Sequence, residues 1–361
     1  MAGSVAITGV KRYAHIDAMR AFAVALVVVA HSGLHRIVPG GSGVTIFFTI
    51  SGFIIIYLML REYDRTGGFH IGRFYVRRVL KIIPPLITAI VIPSLLFSLF
   101  YKIDWAAFLA QILFVFNWYK IGVGGETDTL PGGGVVWSLA IEEQFYIVAA
   151  LLWVVLVQLR RPVLLLTIAT LAALAYSMSM RFILAGEYLR IYWGTDTRLE
   201  GLAWGILAAI LFYRMKQIPW KETVVRFFSQ DWVFVAAVAL YIATLLVRDP
   251  WFRDTLRYSL QAVAAATVIL YGFGWQFEKR SAFGRMHDAV VAWEPIQVVG
   301  RASYSIYLAH YTVMHLVPYD WPLAIAVPLR VTLGTAAGLL LWRVLEIPLE
   351  RWKTSNKWLS P

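Results

Sequence analysis

The chain is 361 residues long; 60% of them are hydrophobic and only 15% are charged, whereas a soluble domain carries about 25% charged residues. This composition excludes a soluble, nucleic-acid-binding enzyme and predicts an integral membrane protein, since the net charge of +12 lies in loops between apolar segments. The absence of cysteine excludes disulfides, thiolate metal sites and an acyl-cysteine intermediate.

Apolar segments of the length that crosses a bilayer, about 20 residues, recur along the whole chain. They predict an all-α, polytopic membrane protein with about ten transmembrane helices in one domain, residues 1–361, and no appended soluble domain. A further apolar stretch at 105–117 is too short to span and is expected to be re-entrant or interfacial. The predicted spans are 15–35, 44–61, 80–101, 135–158, 162–180, 199–215, 232–247, 257–277, 301–317 and 326–346.

The distribution of basic residues predicts the orientation of these spans. With the N-terminus in the cytoplasm, 22 Lys and Arg residues lie in or beside the inner loops and 10 lie in the outer loops. Because cytoplasmic loops of membrane proteins are enriched in these residues, we predict that both termini are cytoplasmic. Lys11 and Arg12 before an apolar core are also typical of a signal peptide, but the spans that follow favour an uncleaved first span.

The first span carries Arg20 and His31, with no charge in the ten residues between them. Eleven residues correspond to about three helical turns, so both side chains lie on one face, roughly 16 Å apart, with Asp17 one turn before Arg20. Such groups are costly in hydrocarbon and are therefore functional candidates. A free histidine titrates near ~6.5, which suits a general base at neutral pH, so His31 is the predicted base.

Ser51 and Gly52 interrupt the apolar second span in the sequence FFTISGF. Small residues at such a position let helices approach closely, so packing or passage of a ligand is the favoured interpretation. A nucleophilic role for Ser51 is the alternative, although no base lies near it in the sequence.

The predicted cytoplasmic loop after the second span is strongly basic. Guanidinium groups bind phosphate oxygens in bidentate fashion, so this segment suits a polyphosphate ligand. Ordinary positive-inside charge against lipid headgroups is the alternative. The basic residues are Arg61, Arg65, Arg73, Arg77, Arg78 and Lys81.

Two carboxylates, Glu142 and Glu143, lie in the fourth span in WSLAIEEQFY, at a depth similar to that of His31. Carboxylates at this depth must face protein or water, so one of them could orient His31, as a carboxylate orients a catalytic imidazole. A structural hydrogen bond between helices is the alternative.

Polar residues of the sixth and ninth spans are candidates for an acceptor site. Asp196 and Arg198 open the sixth span, where they could line such a site or begin a helix with acidic charge at its N-terminus. In SYSIYLAH of the ninth span, Tyr307 and His310 are three residues apart and share a helix face. His310 is either a packing residue or a base. No metal-binding signature occurs in the sequence, so no metal is predicted.

Taken in chain order, these motifs resemble the acyltransferase 3 family of membrane O-acyltransferases. The resemblance implies that His31 is the family's essential histidine, Arg20 its span-one arginine and Glu142 its motif glutamate. Arg77 and Arg78 match its cytoplasmic arginine pair. The matching segments are Arg20 with His31 in span one, FFTISGF (47–53), RRVLKIIP (77–84), WSLAIEEQFY (137–146), RASYSIYLAH (301–310) and EIPLERW (346–352).

The resemblance also implies the reaction. An acyl group, acetyl in the first instance, passes from cytoplasmic acyl-coenzyme A to a hydroxyl of an extracytoplasmic or lipid-linked glycan, with acyl-coenzyme A as co-substrate and no tightly bound cofactor. It implies the inner (cytoplasmic) membrane of a bacterium as the location. Lys81 stands at a position where arginine is common in the family, and its ammonium group cannot bind a phosphate in the bidentate fashion of a guanidinium. The donor contacts expected are Arg73, Arg77, Arg78 and Lys81 at the phosphates and Arg20 beside the pantetheine arm.

The acceptor hydroxyl is expected to reach His31 from the opposite face, with Glu142 orienting the base. A transporter or flippase for a lipid-linked sugar or small molecule is the competing function, because intramembrane charges and a ten-span body are also typical of carriers. Against it, the sequence has no internal symmetry and no paired broken helices. The acceptor contacts expected are Asp17, Ser51, Glu143, Asp196, Arg198, Tyr307 and His310.

Overall fold

The computed structural model describes residues 13–215, 221–274, 280–318 and 320–356, and the regular elements in these ranges are all helical, which confirms the all-α class. Lys11, Arg12 and residues 275–277 of the predicted eighth span lie outside the described residues. The α-helices are α1 (Ala14–Val29), α2 (Gly40–Thr66), α3 (Ile71–Leu86), α4 (Ile92–Phe97), α5 (Trp105–Ile112), α6 (Phe116–Gly122), α7 (Trp137–Leu156), α8 (Pro162–Ile183), α9 (Tyr188–Trp193), α10 (Thr195–Arg214), α11 (Lys221–Ser229), α12 (Asp231–Leu246), α13 (Pro250–Thr255), α14 (Arg257–Phe273), α15 (Ala282–Val291), α16 (Glu294–Met314), α17 (Leu323–Leu341) and α18 (Ile347–Ser355).

Single π-helical turns extend or join several of these helices. Ala30–Leu34 continues α1, Ile87–Val91 links α3 to α4, and Trp342–Glu346 links α17 to α18. In the first of these turns Gly33 has a φ of 120°, so the chain leaves the helical path within the turn that also carries His31. π-helical turns are frequent at functional sites.

Each of the ten predicted spans coincides with a helix, but fewer helices are long and apolar enough to cross a bilayer. Among the described residues six qualify, and a seventh follows if Glu222–Ser229 and Asp231–Leu246, which meet at 59°, form one bent span. Of the others, α14 has only 17 residues, while α10 and α16 carry charged and polar side chains. The count of ten and the cytoplasmic termini therefore stay predictions. The six helices are Ala14–Leu34, Gly40–Thr66, Ile71–Phe97, Gly133–Leu156, Pro162–Ile183 and Leu323–Ser355.

The chain forms two compact units. The first is built from the described parts of Met1–Gly43, His70–Ala140 and Val291–Pro361, and the second from those of Val44–Phe69 and Ile141–Val290. Both units combine segments that are far apart in the sequence. The single membrane domain without an appended soluble domain stays a prediction.

In the first unit, α16 packs against both α1 and α17. Glycines make these crossings close: a Cβ at Gly300 would lie 2.0 Å from a carbonyl oxygen of α1, and one at Gly338 would lie 2.2 Å from the Cα of Ile306. Gly334, one turn before Gly338, would place a Cβ 3.1 Å from His310. Small residues spaced four apart are typical of closely packed transmembrane helices.

Gly338→Ala is expected to reduce the yield of folded protein strongly, because the new methyl group would overlap the backbone of α16 rather than a movable side chain. Overpacking of this kind costs about 1–3 kcal/mol or more. The matched control is Gly72→Ala on α3, where nothing lies within 4 Å of the new Cβ and alanine should be neutral or stabilising by up to about 1 kcal/mol. Folded yield and thermal unfolding in detergent measure both variants, and equal behaviour would contradict the close crossing.

In the second unit, α2 and α10 approach each other through glycines on both helices. A Cβ at Gly52 would lie 2.2 Å from the carbonyl oxygen of Leu202, and one at Gly205 would lie 2.0 Å from that of Thr49. Only glycine permits such distances without movement of the backbone. The packing interpretation of FFTISGF is therefore confirmed at Gly52.

A fully buried ion pair joins α8 to α10 in the same unit. Arg181 Nη1 lies 2.7 Å from Glu200 Oε1, and the other guanidinium nitrogens donate to the carbonyls of residues 253–255 at the end of α13. Ser259 donates to the same carboxylate. Buried charges are tolerated in an apolar setting when they are paired and hydrogen-bonded in this way.

The predicted short segment at 105–117 contains α5 and the first two residues of α6. These helices have eight and seven residues and are too short to cross a bilayer. Asp104 caps α5 by accepting from the amides of Ala106 and Ala107, and the Tyr119 hydroxyl donates to the same carboxylate at 2.6 Å. This last hydrogen bond lowers the pKa of Asp104 and raises the pKa of Tyr119.

Candidate active site

Two histidines from distant parts of the chain meet in the first unit. His31 Nδ1 lies 2.8 Å from His310 Nε2, although 279 residues separate them in the sequence. His310 is fully buried, while His31 is half-buried. The Tyr311 ring stacks on the His31 ring with 4.2 Å between their centres. Because both contacts come from α16, this helix determines where the His31 ring lies.

The hydrogen-bond partners of His310 dictate which nitrogen of each ring carries a proton. His310 Nδ1 lies 2.8 Å from the carbonyl oxygen of Tyr307 and 3.0 Å from that of Ile306, and since carbonyls can only accept, this nitrogen is protonated. The Nε2 of neutral His310 is then an acceptor, so His31 Nδ1 donates to it. His31 Nε2 keeps its lone pair, which is the form that a general base requires.

Every polar residue of SYSIYLAH contacts a segment that neighbours α16 in the first unit. Unpaired polar groups are costly in an apolar helix, so these contacts fix the rotation of α16 about its axis. This segment therefore both attaches α16 to its neighbours and carries His310. The pairs are Ser303 with Arg20, Tyr304 with the Ile82 carbonyl, Ser305 with Glu346, Tyr307 with Ser138 and the Val135 carbonyl, and His310 with His31.

Arg20 is directed at the same helix as His31. Its Nε donates to Ser303 Oγ at 3.0 Å, and His31 contacts His310 two turns further along α16. Both side chains of the first span therefore reach one neighbour, as their eleven-residue spacing predicts. The place of Arg20 beside the donor's pantetheine arm stays a prediction.

The predicted phosphate contacts of the donor lie on α3, where Arg73, Arg77 and Lys81 recur every four residues and share one face. Lys81 forms an ion pair with Glu346, whose side chain is 2% exposed. This carboxylate neutralises the ammonium group. The prediction of a phosphate site therefore rests on Arg73, Arg77 and Arg78.

The motif carboxylates belong to the second unit, where the Tyr146 hydroxyl lies 3.0 Å from Glu142 Oε2 and 3.2 Å from Ser51 Oγ. The bond with Glu142 lies within α7, whereas the bond with Ser51 connects α7 to α2, so Tyr146 joins two of the predicted motifs. At His31, the Nδ1 position that an orienting carboxylate would take is occupied by a histidine. The role of Glu142 as the orienting group stays a prediction.

The acceptor residues predicted in the sixth span are ion-paired or buried. Asp196 forms a bidentate pair with Arg190 at 2.5 and 2.6 Å. Arg198 is 1% exposed, and its guanidinium carbon lies 3.7 Å from the centre of the Tyr258 ring. These contacts favour the interpretation of Asp196 and Arg198 as part of a helix start over that of an acceptor site.

The remaining predicted acceptor contacts differ in their surroundings. The Tyr307 hydroxyl lies 2.6 Å from Ser138 Oγ and 2.9 Å from the Val135 carbonyl oxygen, so it attaches α16 to the start of α7 and to the turn at Gly133–Val136 before it. Asp17 is 7% exposed and Glu143 is half-buried. Binding of an acceptor by these residues stays a prediction.

Two features of α17 that border the histidine pair were not predicted from the sequence. One is the pair of glycines, Gly334 and Gly338, whose spacing of four in an apolar helix is a known signal of close packing. The other is Arg330, the one charged residue in α17. A charged residue within an apolar span is a functional candidate, so this signal was available in the sequence.

Curated proteins similar to this chain are O-acetyltransferases. The O-acetyltransferase OatA of Staphylococcus aureus (strain NCTC 8325 / PS 47) is 27% identical over 359 residues, with 93% of this chain and 57% of that protein covered. The putative O-acetyltransferase SACOL0978 of Staphylococcus aureus (strain COL) is 28% identical over 332 residues, with 84% and 50% covered. The chain thus spans about half the length of these curated relatives. No solved structure matches the chain.

A family match covers most of the sequence. The acyltransferase 3 family model, described as an acyltransferase domain, matches residues 13–346, which include both histidines of the pair and the arginines of α3. The resemblance predicted from the motifs is therefore confirmed. This chain belongs to the acyltransferase 3 family.

Proposed function

We propose that the protein is a membrane O-acetyltransferase that moves an acetyl group from acetyl-coenzyme A to a hydroxyl of an extracytoplasmic or lipid-linked glycan. The histidine pair carries this proposal, because His31 is fixed at Nδ1 and presents an unprotonated Nε2. Family membership and the O-acetyltransferase relatives support the reaction class. The inner membrane of a bacterium is the proposed location.

In the proposed reaction, His31 Nε2 accepts the proton of the acceptor hydroxyl while the hydroxyl oxygen attacks the thioester carbonyl carbon. The C–S bond then breaks, and the departing coenzyme A thiolate takes the proton from the imidazolium. While charged, His31 donates from Nδ1 to His310 Nε2 in a charge-assisted hydrogen bond, which is stronger than the neutral one. The pair therefore stabilises the base in the form that it takes in the transition state.

The donor is proposed to place its phosphates on the arginines of α3, with Arg20 beside the pantetheine arm. Guanidinium groups suit phosphate because their planar fork binds two oxygens at once. Lys81 is proposed to hold α3 against the π-helical turn at 342–346 through Glu346, rather than to bind phosphate.

Replacing Arg77 and Arg78 together with alanine is expected to raise the apparent KM for acetyl-coenzyme A by about tenfold or more, with kcat largely kept. Hydrogen bonds to charged groups contribute about 1.5–3 kcal/mol each, and loss of binding shared by ground and transition states appears in KM. Arg285→Ala, which removes an exposed arginine of α15, is the matched control. Steady-state kinetics measure both, and an unchanged KM in the double variant would remove the pair from the donor site.

The test of the function uses the purified chain in nanodiscs with radiolabelled acetyl-coenzyme A and either water or an added glycan as acceptor. Protein-dependent appearance of label on the glycan, or as acetate, is the expected result. Absence of both transfer and donor binding across a series of acyl-coenzyme A chain lengths would contradict the proposal and favour the transporter, which has no need of a thioester.

A further inference from the structure

Arg330 is 2% exposed and is the only charged side chain of α17. Its guanidinium donates to three backbone carbonyls: Nη1 to that of Ser32 at 3.0 Å, and Nη2 to those of Pro318 at 2.9 Å and Val317 at 3.3 Å. A buried charge persists in an apolar helix only where such partners satisfy it. The planar fork of arginine is suited to this position because it presents several donors in fixed geometry.

One of the three carbonyls lies in the turn that carries His31, and the other two lie just beyond α16, the helix that carries His310. Ser32 follows His31 directly, in the π-helical turn after α1, and residues 317–318 follow α16, which carries His310 near its end. At Gly33 the φ of 120° takes the chain out of the helical path, and carbonyls at the end of a helix lack the donors that a continuing helix would provide. The guanidinium supplies a donor at this point.

From this geometry we infer that Arg330 is a positioning residue for the base. It holds the turn that carries His31 against the end of α16, so that His31 Nδ1 meets His310 Nε2. The inference rests on the proposed function, since the position of this imidazole matters to the rate only if His31 is the base. A misplacement of about 1 Å can cost roughly 10²-fold in rate, so loosening Arg330 lowers kcat while donor binding is kept.

The test compares Arg330→Lys with Arg181→Lys in the full chain in nanodiscs. Both arginines are buried, and each donates to three backbone carbonyls. Lysine keeps the charge but lacks the planar guanidinium, so the two substitutions should destabilise the fold to a similar extent. We expect kcat per folded molecule to fall by about tenfold to a hundredfold in Arg330→Lys, with an unchanged KM for acetyl-coenzyme A, and to stay at the wild-type value in Arg181→Lys. Added methylguanidinium should restore part of the activity of Arg330→Ala.

A second measurement needs no turnover. In protein with isotopically labelled histidine, NMR should find His31 protonated at Nδ1 and bare at Nε2 in the wild type, and a mixture of tautomers in Arg330→Lys. An unchanged tautomer together with an unchanged kcat in this variant would overturn the inference. A wild type that transfers no acetyl group, yet shows the tautomer change in Arg330→Lys, would contradict the proposed function and support the positioning role, so the two failures are distinguishable.

Discussion

His31→Ala is expected to abolish detectable acetyl transfer, with a loss on the order of 10²–10⁴-fold, the range that general-base catalysis contributes. Three of the four ring nitrogens in the histidine pair are engaged in hydrogen bonds, so His31 Nε2 is the nitrogen that can take the proton of the acceptor. The side chain is half-buried, and the fold should therefore tolerate alanine. Transfer of label from acetyl-coenzyme A, normalised to folded protein, measures the loss.

His35→Ala is the matched control for this experiment. His35 is an exposed histidine that directly follows the π-helical turn, one turn beyond His31. Surface substitutions usually change the free energy of unfolding by less than about 0.5 kcal/mol, so His35→Ala should fold like the wild type. Because His35 takes no part in the proposed proton transfer, the kcat of this variant should stay at the wild-type value. Near-wild-type transfer by His31→Ala would contradict the assignment of the base. Equal loss in both variants would show that the end of this helix, and not the imidazole, is required.

The helices of this protein could be predicted because a bilayer demands long apolar segments, and such segments are visible in a single sequence. The number of crossings could not be predicted in the same way. The spans expected at 199–215 and 301–317 are helical but contain charged and polar groups, whose acceptability depends on partners from other helices. The buried pair of Arg181 and Glu200 is an example, since neither residue identifies the other in the sequence.

The two polar residues of the first span could be predicted as candidate site residues, because charged and titratable groups are rare in apolar segments. Arg20 and His31 are conspicuous in an apolar segment, but the partner of His31 depends on how α1 crosses α16, and the protonation of that partner depends on two carbonyls of α16. His310 was therefore recognised as a candidate without its role. Lys81 shows a second limit: a basic segment predicts a phosphate site, whereas the ion pair of Lys81 with Glu346 is visible only in the folded chain.

One face of α17 accounts for the position of both histidines. Arg330, Gly334 and Gly338 are spaced four residues apart and so form one stripe along the helix. The arginine binds the turn that carries His31, while Gly334 brings the backbone of α17 against His310. These contacts involve backbone atoms of the facing segments, so the side chains of those segments do not predict them. Only the four-residue spacing of Arg330, Gly334 and Gly338 is visible in the sequence.

His310→Leu is expected to lower kcat by about tenfold to a hundredfold, because it removes the acceptor for His31 Nδ1. A buried donor without an acceptor costs about 1–3 kcal/mol, and about 1.4 kcal/mol corresponds to a factor of ten in rate. His31 avoids this cost by rotating or by moving its proton to Nε2, and either change withdraws the lone pair from the acceptor hydroxyl. The KM for acetyl-coenzyme A should be unchanged.

Glutamine at the same position distinguishes the effect of the hydrogen bond on kcat from that of packing. Its amide oxygen can accept from His31 Nδ1, so His310→Gln should keep more of kcat than His310→Leu. Equal kcat values in the two variants would show that this hydrogen bond does not contribute to the rate. If His310 acts only through His31, the double variant His31→Ala/His310→Leu is no slower than His31→Ala alone. Additive losses would instead place His310 in direct contact with the reacting groups, because a residue that only orients the base has nothing left to orient once the imidazole is gone.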